Sequence, residues 1–290
     1  MDTDLFALRS FVRLANELNF ARTAAALHIS APKLTRVIQT LELQVGTQLV
    51  ARSTHGASLT AAGVEFLSSA SRMVAEADWV GRRFGKRRIA ASATFVVGCL
   101  AGSLYEPLPQ RVRAARKAHA KLQIRLVEVD ESTLHRQVLD GSLDMGFLYS
   151  PEPDDLIESR VVSRRGQWVA MSPDHPLARR KQLSLKDLRP HTLILPDEKV
   201  APRLHRWYRQ FLDLEDRRDL SYIGANQIHV ALGLCAAGEG LCVVAEPLRR
   251  VRSDDLLYVP LQDAPRTELA AIWRRDSPVR QVAQFIASGW

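Results

Sequence analysis

The chain has 290 residues, of which 46% are hydrophobic, with a formal net charge of +8 and a sequence pI of about 9.7. This length is enough for two or three domains, and no apolar run approaches the roughly 18 residues that a membrane-spanning helix needs, which argues against an integral membrane protein. The positive charge favours an anionic partner such as nucleic acid.

The cysteine content and the first residues indicate the compartment. Cys99, Cys235 and Cys242 form no Cys-x-x-Cys pair, so free thiols in a reducing environment are expected. The opening segment Met1-Asp2-Thr3-Asp4 is acidic and lacks the basic region of a secretory signal. We therefore expect a cytoplasmic protein with no membrane partner.

The first 59 residues predict three short helices and a small β wing. Apolar residues recur at helical spacing over residues 5–18, an alanine-rich helix is expected over residues 21–27, and a third helix follows from Ala31 to a stop at Gly46. Residues 47–59 are short and turn-rich, which is typical of a two-stranded wing. Three short helices joined by a tight turn indicate a helix-turn-helix.

The third predicted helix has one polar face. Ser30 is placed as its N-cap and Pro32 lies in its first turn, while Leu34, Ile38 and Leu41 form a buried stripe. Cations suit phosphate or guanine, and a glutamine side chain suits adenine, so this face could bind DNA. Taken alone, however, such a polar face is more often just a solvated surface. Its outward residues are Lys33, Arg36, Gln39 and Thr40.

A long helix with a heptad seam is predicted next. Apolar or small residues alternate spacings of four and three from residue 59 to residue 84, which favours a dimerising helix; the alternative is an amphipathic helix lying on its own domain. Residues 84–93 are expected to form a hinge, because Gly85 lies in a run where five of the seven residues from Arg82 to Arg88 are basic. The seam residues are Leu59, Gly63, Phe66, Ala70, Met73, Ala77, Val80 and Phe84.

Strand and helix patterns alternate after the hinge, which predicts α/β structure with a largely parallel sheet. The predicted strands are residues 94–98, 122–129, 145–148, 161–171, 192–195, 221–223, 241–244, 256–261 and 269–273. The predicted helices are residues 104–119, 134–139, 202–212, 228–237 and 279–286.

Signatures of enzymes and of metal sites are missing from the sequence. It contains no nucleophile elbow, no phosphate-binding Gly-rich loop and no His-x-x-x-His spacing, so neither a metal nor another cofactor is expected. Glu128, Asp130 and Glu131 cluster near the end of a predicted strand. They are interpreted either as a catalytic carboxylate set or as a solvated edge.

A small-molecule site is expected at the carboxyl ends of the strands, where helix N-termini offer free N–H groups. Leu100, Ala101, Gly102 and Ser103 follow the first strand, and Asp130 follows the next. Gly102 would let a ligand approach the backbone. Ser103 would offer a hydroxyl to the ligand or serve only as a helix cap.

The whole chain resembles a LysR-type transcriptional regulator, and in detail the regulators of aromatic-compound degradation. The resemblance rests on spaced motifs along the chain. They are residues 8–12, 19–24, 26–30, 41–42, 59–63, 140–144, 173–178 and 236–240, the single residues Gly46, Leu49 and Arg52, and, for the aromatic group, 146–148 and 271–276.

The resemblance implies an N-terminal winged helix-turn-helix over residues 1–59 and a dimerising linker helix with a hinge over residues 60–89. It also implies a C-terminal α/β effector domain of two Rossmann-like subdomains that resemble periplasmic binding proteins. Subdomain I would comprise residues 90–162 and 266–290, and subdomain II residues 163–265. The implied partners are operator DNA, a small carboxylate or aromatic effector, other copies of the chain in a dimer and tetramer, and RNA polymerase.

Site residues follow from this resemblance together with the patterns above. For DNA binding they are Ser30, Ala31, Pro32, Lys33, Thr35, Arg36, Gln39 and Arg52. For the effector they are Leu100, Ala101, Gly102, Ser103, Asp130, Phe147, Pro202 and Asn226.

Several positions depart from the family pattern. Ala31 stands where Gln is common, and Gly102 and Asp130 stand where the aromatic group has Ser and Thr. An Asp facing an anionic inducer would repel it unless the carboxyl group is protonated or paired. Two other interpretations are an α/β enzyme or solute binder with an assembly module, and a DNA-binding protein without an effector.

Overall fold

The structure, a computed structural model, describes residues 4–53, 56–84, 94–151, 153–212, 222–277, 282, 285 and 286, without the side chains of residues 52, 53, 56 and 82–84. Contacts divide the chain into two units, Met1–Arg88 and Ile89–Trp290, which are described separately below. Residues 85–93 of the hinge predicted at 84–93, and most of the last helix predicted at 279–286, fall outside the described residues.

Three helices form the body of the first unit: α1 (Leu5–Glu17), α2 (Phe20–Ala26) and α3 (Ala31–Val45). Side chains cap each helix start, with Asp4, Asn19 and Ser30 accepting bonds from backbone N–H groups of the first turn. Gly46 ends α3 in a left-handed conformation with φ of 82°, as its position in the sequence predicts.

A two-stranded wing follows α3. Strands β1 (Val50–Ser53) and β2 (Gly56–Leu59) pair antiparallel, with Val50 opposite Leu59. Leu49 and Val50 are buried in the same core as the apolar stripe of α3. The wing is therefore packed onto the three helices.

Helix α4 (Ala61–Phe84) lies partly on its own unit. Phe66 packs against Phe11 with ring centroids 5.4 Å apart, Ala70 is fully buried, and Asp78 forms an ion pair with Arg9 of α1. Among its seam residues, Met73 and Val80 are exposed. The predicted seam thus divides into a first half that packs on the core of its own unit and a second half with exposed apolar side chains.

The first sheet of the second unit has the strand order β4-β3-β5-β12-β6. Its strands are β3 (Thr94–Cys99), β4 (Gln123–Glu128), β5 (Met145–Tyr149), β6 (Ile157–Arg165) and β12 (Thr267–Arg274). Strands β4, β3 and β5 are parallel, and β12 runs antiparallel to β5 and β6. Helices α5 (Leu108–Ala118) and α6 (Glu131–Leu139) follow β3 and β4.

The second sheet has the order β11-β7-β10-β8-β9. Its strands are β7 (Gln167–Met171), β8 (Leu193–Pro196), β9 (Tyr222–Ala225), β10 (Leu241–Ala245) and β11 (Leu257–Leu261). Helix α8 (Pro202–Phe211) packs on the face that carries Leu193 and Leu195, and α9 (Ile228–Ala236) packs on the face that carries Ile194. The short helix α7 (Leu185–Leu188) precedes β8.

Three predictions of local structure are corrected. Residues 161–171 are two strands in different sheets, because the chain crosses from the first sheet to the second at Gly166. The helix predicted from residue 104 begins at Leu108, after a 3-10 helix at Ala101–Tyr105. Both sheets are mixed, since β12 and β7 run antiparallel to neighbouring strands.

None of the helices in the described part of the chain is long and apolar enough to cross a membrane.

Candidate functional site

The exposed face of α3 carries most of the predicted DNA-binding residues. Ala31, Pro32, Lys33, Arg36 and Gln39 are all exposed, and Thr35 is half-buried. The Ser30 hydroxyl accepts a hydrogen bond from the Lys33 backbone N–H at 3.3 Å, so this side chain is engaged in capping the helix. The side chain of Arg52 lies outside the described residues, and only its place on β1 is known.

The opposite face of α3 fixes the direction in which those side chains project. Leu34, Ile38 and Leu41 are fully buried against α1 and the wing. Because these residues recur every three or four positions, the helix cannot rotate without exposing them. The polar face is therefore held outward by the core of the first unit.

The second unit contains a cleft with an empty volume of about 830 Å³ between its two sheets. One wall comes from the first sheet and the turns that follow β3 and β4. The other wall comes from β8, β10 and the starts of α8 and α9. The cleft residues are Leu100, Ala101, Gly102, Val129, Asp130, Glu131, Tyr149, Pro196, Val200, Ala201, Leu204, Tyr208, Ala225, Asn226, Gln227, Ile228, Ala231, Cys242, Val243, Val244, Ala245, Leu248 and Thr267.

Five of the predicted effector residues line this cleft: Leu100, Ala101, Gly102, Asp130 and Asn226. The first three follow β3 and Asp130 follows β4, so the carboxyl ends of adjacent parallel strands bring them together, as the topology requires.

The other three predicted effector residues do not reach the cleft. Ser103 is fully buried, and its hydroxyl donates to the backbone carbonyl of Leu100 at 2.7 Å because the 3-10 helix turns it inward. Phe147 is fully buried in the first sheet, with its ring centroid 6.3 Å from that of Phe285. Pro202 starts α8 next to the cleft residue Ala201 but is not part of the wall.

Several polar cleft residues have no signal in the sequence pattern, and Tyr149 is the most informative of them. Its side chain is 6% exposed, and its hydroxyl has no hydrogen-bond partner among the described residues. A Cβ atom at Gly102 would lie 3.2 Å from that hydroxyl, so the missing side chain at Gly102 leaves room beside it. Burial, and the charge of Glu106 to a smaller extent, raise the pKa of Tyr149 far above its usual value, which keeps the hydroxyl neutral.

The charged groups of the cleft are all acidic. Among the described residues that line it, Asp130 and Glu131 carry carboxyl groups, and none is a lysine, arginine or histidine. Burial also raises the pKa of Tyr208, and a hydrogen bond with Cys235 together with burial raises the pKa of the Cys242 thiol, so both groups stay neutral. The described residues hold no group of three or more side chains that could bind a metal ion.

Comparison with known proteins matches each of the two units to a protein family. Residues 5–64 match the model of the bacterial regulatory helix-turn-helix protein, lysR family, and residues 89–288 match the LysR substrate binding domain. The chain is 30% identical over 252 residues to the probable cat1 operon transcriptional activator of Acinetobacter lwoffii, which covers 87% of this chain and 83% of that protein. It is 27% identical to the HTH-type transcriptional regulator AlsR of Bacillus subtilis (strain 168), over 98% of this chain and 94% of AlsR.

The fold comparison gives the same assignment. The crystal structure of full-length BenM matches with a TM-score of 0.62 and 26% identity, covering 98% of this chain and 95% of that one. The resemblance inferred from the spaced sequence motifs is thereby confirmed, as is the winged helix-turn-helix followed by a two-subdomain α/β domain. The chain belongs to the LysR family of transcriptional regulators.

Proposed function

We propose that this LysR-family regulator reads a double-stranded operator with the exposed face of α3, and that a small molecule bound in the cleft controls that activity. Lys33, Arg36 and Gln39 would contact base edges in the major groove, because their side chains are exposed on one face and have the donors and acceptors that bases require. This exposed face, held by a fully buried opposite face, is the observation that carries the proposal.

The remaining residues of the motif would position the helix on the DNA. Thr35 and Arg52 would bind phosphates and set the register, while Ala31 and Pro32 would contact a thymine methyl group. Ser30 would act through the capping bond that orders the first turn of α3. Since Ala31 carries no amide, base reading should depend mainly on Lys33 and Arg36.

The effector would occupy the cleft beside Leu100, Ala101, Gly102, Asp130 and Asn226. Most of the wall is apolar, which suits a small molecule with an apolar or aromatic body. A ligand that binds one arrangement of the two subdomains more tightly shifts the population toward that arrangement. The change would reach the operator through the paired DNA-binding units.

Assembly would use the second half of α4. Met73 and Val80 are exposed at seam positions, so a second copy could cover them and form a dimer, and pairs of dimers would give a tetramer. The proposed divisions are residues 1–59, 60–89 and 90–290. Because β6 of the first sheet ends at Arg165 and β7 of the second sheet begins at Gln167, a subdomain boundary at Gly166 is favoured over one at 162/163. We also propose that the protein is cytoplasmic and that it contacts RNA polymerase.

The test compares Arg36→Ala with wild type on a duplex obtained by in vitro selection and on a random duplex, at one salt concentration. A lost base contact should weaken selected-site binding by about 5- to 150-fold, the equivalent of about 1–3 kcal/mol, and random-site binding far less. Lys117→Ala, which removes an exposed cation of α5, is the matched control. Equal losses on both duplexes would overturn the role of Arg36.

A further inference from the structure

Glu131 connects the two halves of the effector domain. It is the first residue of α6 and is only 4% exposed. Its Oε2 atom accepts hydrogen bonds from the backbone N–H groups of Arg203 at 3.1 Å and Leu204 at 3.2 Å. The next residue, Ser132, donates its backbone N–H to the carbonyl of Val200 at 3.2 Å. The first turn of α6 is thus bonded to the segment that leads into α8.

The two N–H groups that Glu131 engages are in the first turn of α8. Unpaired N–H groups and the helix dipole make such a position attractive to an anion. The N-cap residue of α8, Ala201, has no side-chain acceptor to offer. A carboxylate from the opposite subdomain therefore occupies the place that the carboxylate of a ligand would otherwise take.

The surroundings of this contact disfavour a second anion. Asp130 is adjacent and also lines the cleft, and no basic side chain is found among the described cleft residues. Placing another negative charge in a largely apolar cavity costs desolvation free energy, and here no cation would compensate for it.

Tyr149 points independently to the polarity of the ligand. Its neutral hydroxyl is buried at the cleft wall without a hydrogen-bond partner among the described residues. An uncharged polar group of a ligand, such as a hydroxyl, carbonyl or amide, could donate to or accept from it.

We propose that Glu131 is a built-in carboxylate that fills the anion position at the start of α8, so that the effector of this regulator carries no anionic group. The inferred effector is a small molecule with an apolar body and an uncharged polar group that reaches Tyr149. This inference rests on the proposed function only in taking the cleft as the effector site.

Carboxylate rescue tests the proposal on the full-length protein. Glu131→Ala vacates the position, so its melting temperature should fall by about 5 °C, and millimolar propionate should restore part of the loss in a saturable way. Propionamide, which has nearly the same shape without the charge, should not. Wild type and Glu128→Ala, which removes a nearby exposed carboxylate, should not respond to propionate.

Either of two results would overturn the proposal: propionate that raises the melting temperature of wild type as much as that of Glu131→Ala, or no response of folded Glu131→Ala. Should that variant fail to fold, wild type is titrated with benzoate and with benzamide. Saturable benzoate binding that Tyr149→Trp abolishes would overturn the proposal, and its absence would support it. Binding of wild type to the selected duplex is measured separately. If wild type does not bind that duplex, the proposed function is rejected while the propionate result stays valid.

Discussion

The carboxylate of Glu42 joins the end of α3 to the start of the wing: its Oε1 atom lies 2.8 Å from the backbone nitrogen of Leu49 and 2.9 Å from that of Val50. These bonds span the left-handed turn at Gly46, after which β1 begins. One side chain thus satisfies two backbone donors beside a buried core. The carboxylate therefore adds to the buried Leu49 and Val50 in holding the wing against α3.

Glu42→Ala should lower the free energy of unfolding by about 1–3 kcal/mol, because two backbone N–H groups lose a charged acceptor. Urea denaturation of the full-length protein measures the change. Glu42→Gln keeps one oxygen acceptor at the same distance from the backbone and should lose less than half as much. Equal stability of Glu42→Ala and wild type would show that water replaces the carboxylate without cost.

Gly63 is required where α4 passes the wing. A Cβ atom at this position would lie 2.0 Å from the backbone carbonyl oxygen of Leu49, which cannot move without shifting β1. Gly63→Ala should therefore destabilise the protein by more than about 2 kcal/mol.

Gly81, in the same helix, provides the matched control. A Cβ atom there would meet nothing within 4 Å, so Gly81→Ala should stabilise α4 by about 0.5–1 kcal/mol through the higher helix propensity of alanine. The free energies of unfolding of the two variants, measured by thermal or urea denaturation, should therefore change in opposite directions relative to wild type. A small effect of Gly63→Ala would contradict the close approach to Leu49.

Local sequence signals are sufficient to predict the secondary structure of most of the first unit. Ser30, Gly46 and the spacing of Leu34, Ile38 and Leu41 act within one or two helical turns, so the sequence alone places α3 and its exposed face. The packing of Gly63 on Leu49 joins two elements through the tertiary fold. Periodicity therefore predicts the seam of α4 but does not reveal that its first half packs on its own unit.

The cleft was predictable only in part, because some of its residues come together only through the tertiary fold. Leu100 to Gly102 and Asp130 follow adjacent strands, and the rule for parallel sheets brings such residues together. Tyr149 and Thr267 are separated by more than a hundred residues. They reach the same cleft because β12 pairs antiparallel with β5, with Leu269 opposite Tyr149, and no local pattern reports this pairing. The sequence predicts Ser103 in the cleft because its pattern does not distinguish a 3-10 turn from the start of an α-helix.

Cys99 should be unreactive in the native protein at neutral pH. Burial raises the pKa of its thiol to about 11, although a hydrogen bond with Ser103 opposes this increase, and the charge of Glu128 adds a smaller one. A raised pKa means less thiolate, so at pH 8 the thiol of the native protein is far less reactive than that of an unfolded chain.

Iodoacetamide labelling, followed by mass spectrometry of the Cys99 peptide, tests this expectation. The rate for the native protein should rise about tenfold per pH unit between pH 8 and pH 10. Labelling in urea at pH 8 should be far faster and serves as the positive control. Native labelling at pH 8 as fast as in urea would contradict the burial of the thiol.

Tyr149→Phe should leave the unliganded protein as stable as wild type or up to about 1 kcal/mol more stable. The substitution removes a buried hydroxyl that has no hydrogen-bond partner among the described residues, so desolvation is relieved and no bond is lost. Tyr258→Phe is the control, because the Tyr258 hydroxyl donates to the backbone carbonyl of Val251 and its removal should cost about 1 kcal/mol. Urea denaturation should therefore separate the two variants.

A neutral effector identified by thermal shift should bind Tyr149→Phe about tenfold more weakly, since the ligand loses its hydrogen bond to the cleft wall. If Tyr149→Phe destabilised the protein as much as Tyr258→Phe, the hydroxyl would already have a partner and would not be available to a ligand.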